Sequence, residues 1–476
     1  MAIDVTHVDP RQADVKQGSV PPRADDRVDV SSVLDKARFG SLQLVVLALT
    51  FLTLVMDGFD IQAIAFAAPA LTEAWGIERS SLGPVLAAAL LGMAVGAAGI
   101  GVLGDRYGRK TALVFSCVLM AAGSLASAFA PGPMELAALR FVTGIGLGGA
   151  LPNSTALMFE FAPKAWRQVA TSAALVGVPL GGMLGAALAR SMIPELGWQA
   201  LFVVGGSIPA LLAAVIWWAL PESPRYLSAR PMRYKELADL LNRLAHAEQY
   251  VPTSQFVGGG AADSGKSAVA AIFGSDYRRD TLTLWLIFFT NVFSVYFFFN
   301  WLPTVLASAS LDFRIAVTGS LFFNLGGVFG ALAASGLTGR FGSRRVLGVV
   351  GVLAIVSVIA IATNGVFTLD AASGSITALM FAMAAAGGCI NALQIVMFSV
   401  AAHAYPTFCR STGVGWSLAV ARFGGIVSSF AGAAFFAMGM RPRHFFFFIA
   451  GVLTLTFISV VAFRRHIPAT QRGAPQ

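Results

Sequence analysis

Apolar runs of about twenty residues, the length that crosses a bilayer as a helix, recur from Leu42 to Phe463 and leave this chain few ways to fold. Inside hydrocarbon each segment must satisfy its own backbone N–H and C=O groups, which favours helices over open strands. Twelve such spans are predicted, near 42–67, 82–104, 111–130, 135–160, 168–190, 200–220, 281–307, 316–338, 346–364, 374–400, 412–437 and 444–463. A soluble all-α fold is excluded by composition. Only 12% of the 476 residues are charged, 56% are hydrophobic and the mean hydropathy is +0.73, too little polar surface to cover a globule. The expected fold class is therefore an all-α polytopic membrane protein with twelve transmembrane helices.

The polar stretches set the organisation. Residues 1–41 carry mixed charge with Pro10, Pro21 and Pro22, and read as a disordered cytoplasmic tail. They contain no short apolar core followed by a small-residue cleavage site, so no signal peptide is expected. A polar insert at 221–280, with a linker-like Gly258–Gly260, separates six spans at 42–220 from six at 281–464, and 465–476 forms a second cytoplasmic tail. With the amino terminus inside, 26 of the 33 Lys and Arg residues fall on the cytoplasmic side and five on the other. That bias places both termini in the cytoplasm, and the expected location is a bacterial inner membrane. The same bias explains the net charge of +9 without nucleic acid, and lipid headgroups suffice as partners for the basic residues of 225–243. Cys117, Cys389 and Cys409 show neither metal-ligand nor disulfide spacing.

The two halves echo one another. "GVLGDRYGRK" carries Arg106-Tyr107-Gly108 after the second span, and "GLTGRFGSRR" carries Arg340-Phe341-Gly342 after the eighth. Glu160-x-x-Pro163-x-x-x-Arg167 follows the fourth span, and His403-x-x-Pro406-x-x-x-Arg410 follows the tenth. Matches in corresponding places indicate a duplicated bundle. Paired six-helix bundles hold a transported substrate between them near the midplane.

These residues carry a family resemblance. "GVLGDRYGRK" resembles the signature loop of the major facilitator superfamily, and "RFVTGIGLGG", "GVPLGG" and "PESPR" resemble its further motifs. "DGFD" in the first span, with "GIGLGGALPN" and "NWLPTVL", is similar to the aromatic acid:proton symporter family. The resemblance implies the major facilitator fold of two six-helix bundles, transport without enzymatic chemistry or cofactor, and protons and a small aromatic carboxylate as ligands. Benzoate-, hydroxybenzoate- and hydroxyphenylpropionate-like acids are the expected class, imported by alternating access, with no obligate protein partner. Gly339 and His403 stand where acids are usual, so the two loops are not expected to gate alike.

Asp57 and Asp60 in "LVMDGFDIQAIAF" are the costliest residues in the first span. Three apart, they share a helical face, and each central Asp costs about 2.5–3.5 kcal/mol on insertion scales. Arg140 in the fourth span lies at similar depth and would offset that cost as an ion pair. One reading is an ion pair that only holds helices together. The other, which the resemblance favours, is a proton-coupling site of Asp57, Asp60 and Arg140. Two desolvated carboxylates this close cannot easily both ionise, so the pair can take up a proton outside and release it inside.

Arg422 is the other cation within a span, and its own span supplies no acid. It suits a carboxylate arriving from solution, held by two parallel bonds, although an acid from another helix or backbone carbonyls would also answer it. Asn391, Gln394 and Asn324 are expected either to face the cavity or to bond neighbouring helices. The segment "FSVYFFFNW" offers rings, Tyr296 and Trp301 among them, to stack on an aromatic substrate, with most of its phenylalanines expected to face lipid. Asp105, Arg106, Arg109, Glu160, Arg167 and Arg410 are expected to gate the cytoplasmic side, or to be a surface cluster at helix ends.

Other classes fit less well. A sugar or polyol symporter shares "PESPR" but has no need of Arg422, and a drug:proton antiporter, which "GVPLGG" would allow, expels cations or neutral molecules. A sensor would need a long signalling segment. An integral-membrane enzyme would need a nucleophile, metal cluster or cofactor motif. The Gly-rich stretches 144–149 and 177–185 lie within apolar spans without Gly-Lys-Ser/Thr, so they pack helices and do not cradle phosphate.

Overall fold

The structure, a computed structural model, describes residues 27–37, 39–245, 250–257, 272–274, 277–309, 311–364, 373–406 and 409–469. Among these, twelve helices are long and apolar enough to cross a membrane. The first six are α1 (Ser41–Trp75), α2 (Gly83–Tyr107), α3 (Arg109–Ser127), α4 (Pro133–Phe161), α5 (Arg167–Leu196) and α6 (Trp198–Ala219). The second six are α7 (Arg278–Ser308), α8 (Phe313–Phe341), α9 (Ser343–Ala362), α10 (Ser373–Ala404), α11 (Arg410–Ala437) and α12 (Pro442–Ala462). An even number of crossings puts both ends of the chain on one face, here the termini face; the other is the far face.

Helix α1 runs eight residues beyond the predicted 67, through Pro69, and stops at Gly76, whose φ of 60° ends it with backbone bonds back to the last turn. The α2–α3 and α8–α9 turns each need a glycine of positive φ, Gly108 at 107° and Gly342 at 78°. This backbone requirement explains why the Arg-aromatic-Gly triplet recurs at corresponding places.

Packing repeats between the halves. Helix α2 lies along α4 as α8 lies along α10, and α1 along α5 as α7 along α11. Close approach through glycine makes this possible: side chains at Gly92 and Gly148, or at Gly326 and Gly387, would run into carbonyls of the facing helix. The halves meet through α5 with α8, α2 with α11 and α1 with α7, each a pairing that the duplication relates or maps onto itself. Gln62 of α1 and Asn324 of α8 exchange two amide bonds of 3.1 and 2.8 Å across this boundary. Toward the far face the Arg79 guanidinium sits 5.8 Å from the Phe436 ring centre, beside a cavity of about 950 Å³ lined from both halves.

The termini face carries more order than the sequence suggests. Arg27–Asp29 pairs in parallel with Gln255–Val257, and a helix at Val30–Lys36 follows. Asp35 forms an ion pair with Arg167, and the Phe39 and Trp166 rings lie 5.2 Å apart. Helix Tyr234–Ala245 buries Leu237, Leu240, Leu241 and Leu244 against this assembly. Part of the expected disordered tail and of the expected loop is thus one small folded layer. Residues 1–26, 258–271 and 470–476, where the rest of these expectations fall, lie outside the described residues.

Candidate substrate and proton site

Helix α1 carries Asp57 and Asp60 into the protein, each 2% exposed. Asp60 is fully answered within its own half. Arg140 Nη1 of α4 donates to Asp60 Oδ2 at 3.0 Å, and Ser124 Oγ of α3 donates to Oδ1 at 2.9 Å. Arg140, 1% exposed, also donates to Ser127 Oγ at 3.3 and 3.0 Å and to Thr143 Oγ1 at 3.0 Å, with its guanidinium 4.9 Å from the Phe202 ring centre. Such hydrogen bonds are what a buried ion pair needs to offset desolvation.

Asp57 does not join that pair. Its Oδ1 is buried without a hydrogen-bond partner among the described residues, and it lies within electrostatic reach of Arg422 on α11 in the other half. Arg422 is half-buried, and Nη1 donates to Met93 Sδ of α2 at 3.6 Å, a weak acceptor. The Tyr296 hydroxyl of α7 lies within hydrogen-bonding reach of the same guanidinium. A side chain at Gly425, one turn beyond Arg422, would press on the Tyr296 ring, so glycine there lets the two groups converge. Counting along the helices from the termini face, Asp57 sits about 24 Å up α1, Met93 about 21 Å up α2 and Arg422 about 18 Å up α11, all near mid-membrane. The cation expected to stand alone thus faces an acid from another helix, the alternative the sequence left open.

The remaining expected groups divide. Gln394 of α10 keeps a buried Oε1 without a partner among the described residues, while Asn391 donates to Gly387 O at 2.9 Å within its own helix. Asn324 bonds Gln62, an inter-helix role. Trp301 departs from the expectation of a cavity ring. It is fully buried, 5.4 Å from the Phe436 ring centre, and fills the space left by Gly432 on α11. The phenylalanines also depart from expectation: Phe293 and Phe297 are buried among Phe435, Phe445 and Phe448 as core of the second half, and do not face lipid. Of this segment, Tyr296 is placed beside Arg422.

On the termini face, Asp105 pairs with Arg109, which also donates to Asn153 Oδ1 at 3.4 Å, and Glu160 accepts from Ser223 Oγ. Arg106 offers its carbonyl to Arg230 at 2.6 Å and holds its guanidinium 5.4 Å from the Tyr107 ring centre. Arg167 pairs with Asp35 and donates to the Phe159 carbonyl at 3.2 Å, and Arg410 caps the Tyr405 carbonyl at 3.4 Å. Sequence reasoning missed Glu222. This buried carboxylate accepts backbone N–H bonds from Lys110 at 3.0 Å and Ser223 at 2.9 Å, and a side chain at Gly108 would collide with it. Burial pushes the Glu222 carboxyl above its usual range. Its signal was present in "PESPR", where an acid directly follows the sixth span. In the matching turn of the second half the Ser343 N–H donates to the Ile467 carbonyl at 2.9 Å, and Ser343 Oγ accepts from the Ile467 N–H at 2.8 Å.

Residues 50–367 match the family model of the Major Facilitator Superfamily. The chain is 38% identical to a 4-hydroxybenzoate transporter, PcaK, of Pseudomonas aeruginosa, covering 87% of this chain and 91% of that protein. It is 34% identical to a gallate transporter of Pseudomonas putida, over 88% and 91%, and 31% identical to a 3-(3-hydroxy-phenyl)propionate transporter of Escherichia coli, over 83% and 88%. Among solved structures, the inward-open xylose transporter XylE from E. coli superposes with a TM-score of 0.68 at 16% identity, covering 90% of this chain and 97% of that one, which is a likeness of fold. With most of its length shared at this identity, the chain belongs to the major facilitator superfamily and, within it, to the family of aromatic acid transporters.

Proposed function

We propose that this protein is a symporter that imports a small aromatic carboxylate with a proton across a bacterial inner membrane, by alternating access. The observation that carries the reading is Arg422. It is a permanent cation near mid-membrane at the boundary of the halves, in ion-pair contact with no carboxylate among the described residues and facing the buried Asp57. A substrate carboxylate would complete a pair that is otherwise costly, with the Tyr296 ring beside it for the rest of the molecule and Gln394, whose buried Oε1 has no partner among the described residues, as a further candidate contact. The relatives named for 4-hydroxybenzoate, gallate and a hydroxyphenylpropionate all take acids of this class.

Proton coupling rests on the carboxylates of α1, which have to be neutralised by a proton or a cation at this depth. The excess of Lys and Arg on the termini face supports an orientation with both termini in the cytoplasm. The bundles 42–220 and 281–464 would rock about the boundary formed by α1 with α7, α2 with α11 and α5 with α8. The cluster of Asp105, Arg109, Glu160 and Glu222 would then hold or release the cytoplasmic closure. A sugar symporter would leave Arg422 without a task.

The test is uptake into proteoliposomes. Benzoate, 4-hydroxybenzoate, hydroxyphenylpropionate and gallate are offered with and without an inward proton gradient. Accumulation of at least one acid that collapses when the gradient is dissipated is expected. Xylose uptake, or no uptake of any acid, would sink the reading.

A further inference from the structure

Two carboxylates three residues apart on one helix have opposite surroundings, and that difference is informative. Asp60 has both oxygens bonded, one to Arg140 and one to Ser124, inside a single half. Nothing in that pair changes when the halves move relative to one another. Asp57 has a buried oxygen without a hydrogen-bond partner among the described residues and looks across the boundary of the halves at Arg422. Among the described residues Arg422 in turn donates to the Met93 sulfur and lies beside the Tyr296 phenol, with no carboxylate in ion-pair contact. The charged and titratable groups facing Asp57 are Asp60 on its own helix, already matched by Arg140, with Arg422 from α11 and Tyr296 from α7.

Resting on the symport reading above, we infer that Arg422 is a counter-ion shared in turn: the ionised Asp57 answers it in the empty site, and the substrate carboxylate answers it once Asp57 has taken a proton, while Asp60 takes no part in the exchange. The balance is one for one. In the empty site Arg422 and the Asp57 carboxylate sum to zero. In the loaded site the proton converts Asp57 to its neutral acid, and Arg422 with the substrate anion again sums to zero. No bond other than the O–H of Asp57 forms or breaks. Proton alone leaves a bare cation, and substrate alone leaves an extra anion. Either half-loaded form carries an uncompensated charge through a low-dielectric boundary. Only the empty and fully loaded forms can change conformation readily, which couples the two ligands without a dedicated relay.

The inference predicts a linkage that binding measurements read directly. With radiolabelled 4-hydroxybenzoate and the purified full-length protein, affinity should fall as pH rises, by about tenfold per pH unit where Asp57 is ionised in the empty site, because each binding event then needs one proton. The same wild-type protein in weak buffer should take up one proton per ligand bound. Asp57→Asn should bind at every pH as tightly as wild type does in acid, and should exchange labelled for unlabelled acid while losing gradient-driven accumulation. The double variant Asp60→Asn/Arg140→Gln should keep the wild-type pH dependence. Wild-type binding without proton uptake, or Asp57→Asn binding that still tracks pH, overturns the inference while leaving a carboxylate transporter intact. A double variant that alone loses the pH dependence moves the exchange to Asp60 and also overturns it. Wild type that binds none of the aromatic acids brings down the functional reading and the inference together.

Discussion

Asp57 and Asp60, one turn apart on α1, are divided between the two halves of the molecule: Asp60 bonds Arg140 of its own half at 3.0 Å, and Asp57 faces Arg422 of the other. Within a single turn one helix therefore presents a fully bonded ion pair and a carboxylate with a buried oxygen that has no hydrogen-bond partner among the described residues.

Arg422 should anchor the substrate carboxylate. Lysine keeps the charge but loses the planar fork, so Arg422→Lys weakens binding and Arg422→Ala nearly removes it. Losing one charge-assisted pair costs on the order of 2–5 kcal/mol, about 30-fold or more in affinity. The amide analogue of the preferred acid should bind poorly to wild type and respond little to either substitution. Titration of the purified variants checks this, and Arg422→Ala with wild-type affinity for the acid contradicts it.

Asp60 and Arg140 should behave as a structural unit. Asp60→Asn leaves a guanidinium that is 1% exposed without its counter-ion, which costs roughly 3–5 kcal/mol. Asp60→Leu/Arg140→Met should recover most of that loss. Thermal unfolding of the purified proteins in detergent is the measurement. A single variant as stable as wild type would show that Arg140 finds another partner.

Glu222 should make stability depend on pH. Burial raises its carboxyl pKa, and the backbone N–H bonds from Lys110 and Ser223 offset only part of that rise. The folded protein therefore keeps this proton to higher pH than the unfolded chain does. Its contribution is fully present in acid, declines as pH rises from the ordinary carboxylate range to the raised folded value, and then levels off. Glu222→Gln keeps an oxygen for both N–H groups and should flatten the decline. Unfolding midpoints across pH compare the two proteins; equal slopes rule the role out.

Arg79 should help close the far face. Its guanidinium reaches from the first half onto Phe436 of the second, a contact of about 0.5–1 kcal/mol at an exposed site. Arg79→Ala should widen the distribution of distances between spin labels at Ser80 and Ala437, which line the far-face cavity from the first and the second half. An unchanged distribution would assign the closure to the helix contacts alone.

Much of this architecture was legible in the sequence because its causes are local. Hydrocarbon forces each span to be long, apolar and helical, so twelve helices could be counted without a structure. The positive φ that Gly108 and Gly342 supply belongs to the turns themselves, so the repeat showed in spacing. Asp57, Asp60, Arg140 and Arg422 stood out because an ionisable group in a span is costly wherever its partner lies. Partners were another matter. That Asp60 takes Arg140, that Asp57 is left facing Arg422, and that Arg167 pairs with Asp35 depends on how α1 lies against α4 and α7, how α2 lies against α11, and how the tail folds back. Trp301 carries the same lesson: its ring type suited a substrate, but the gap at Gly432 drew it into the core. Residue type and helical period determined which groups had to be hidden or answered; only the packing of helices distant in the chain decided which answered which, because a side chain's partner is set by the surfaces brought against it and not by its neighbours in sequence.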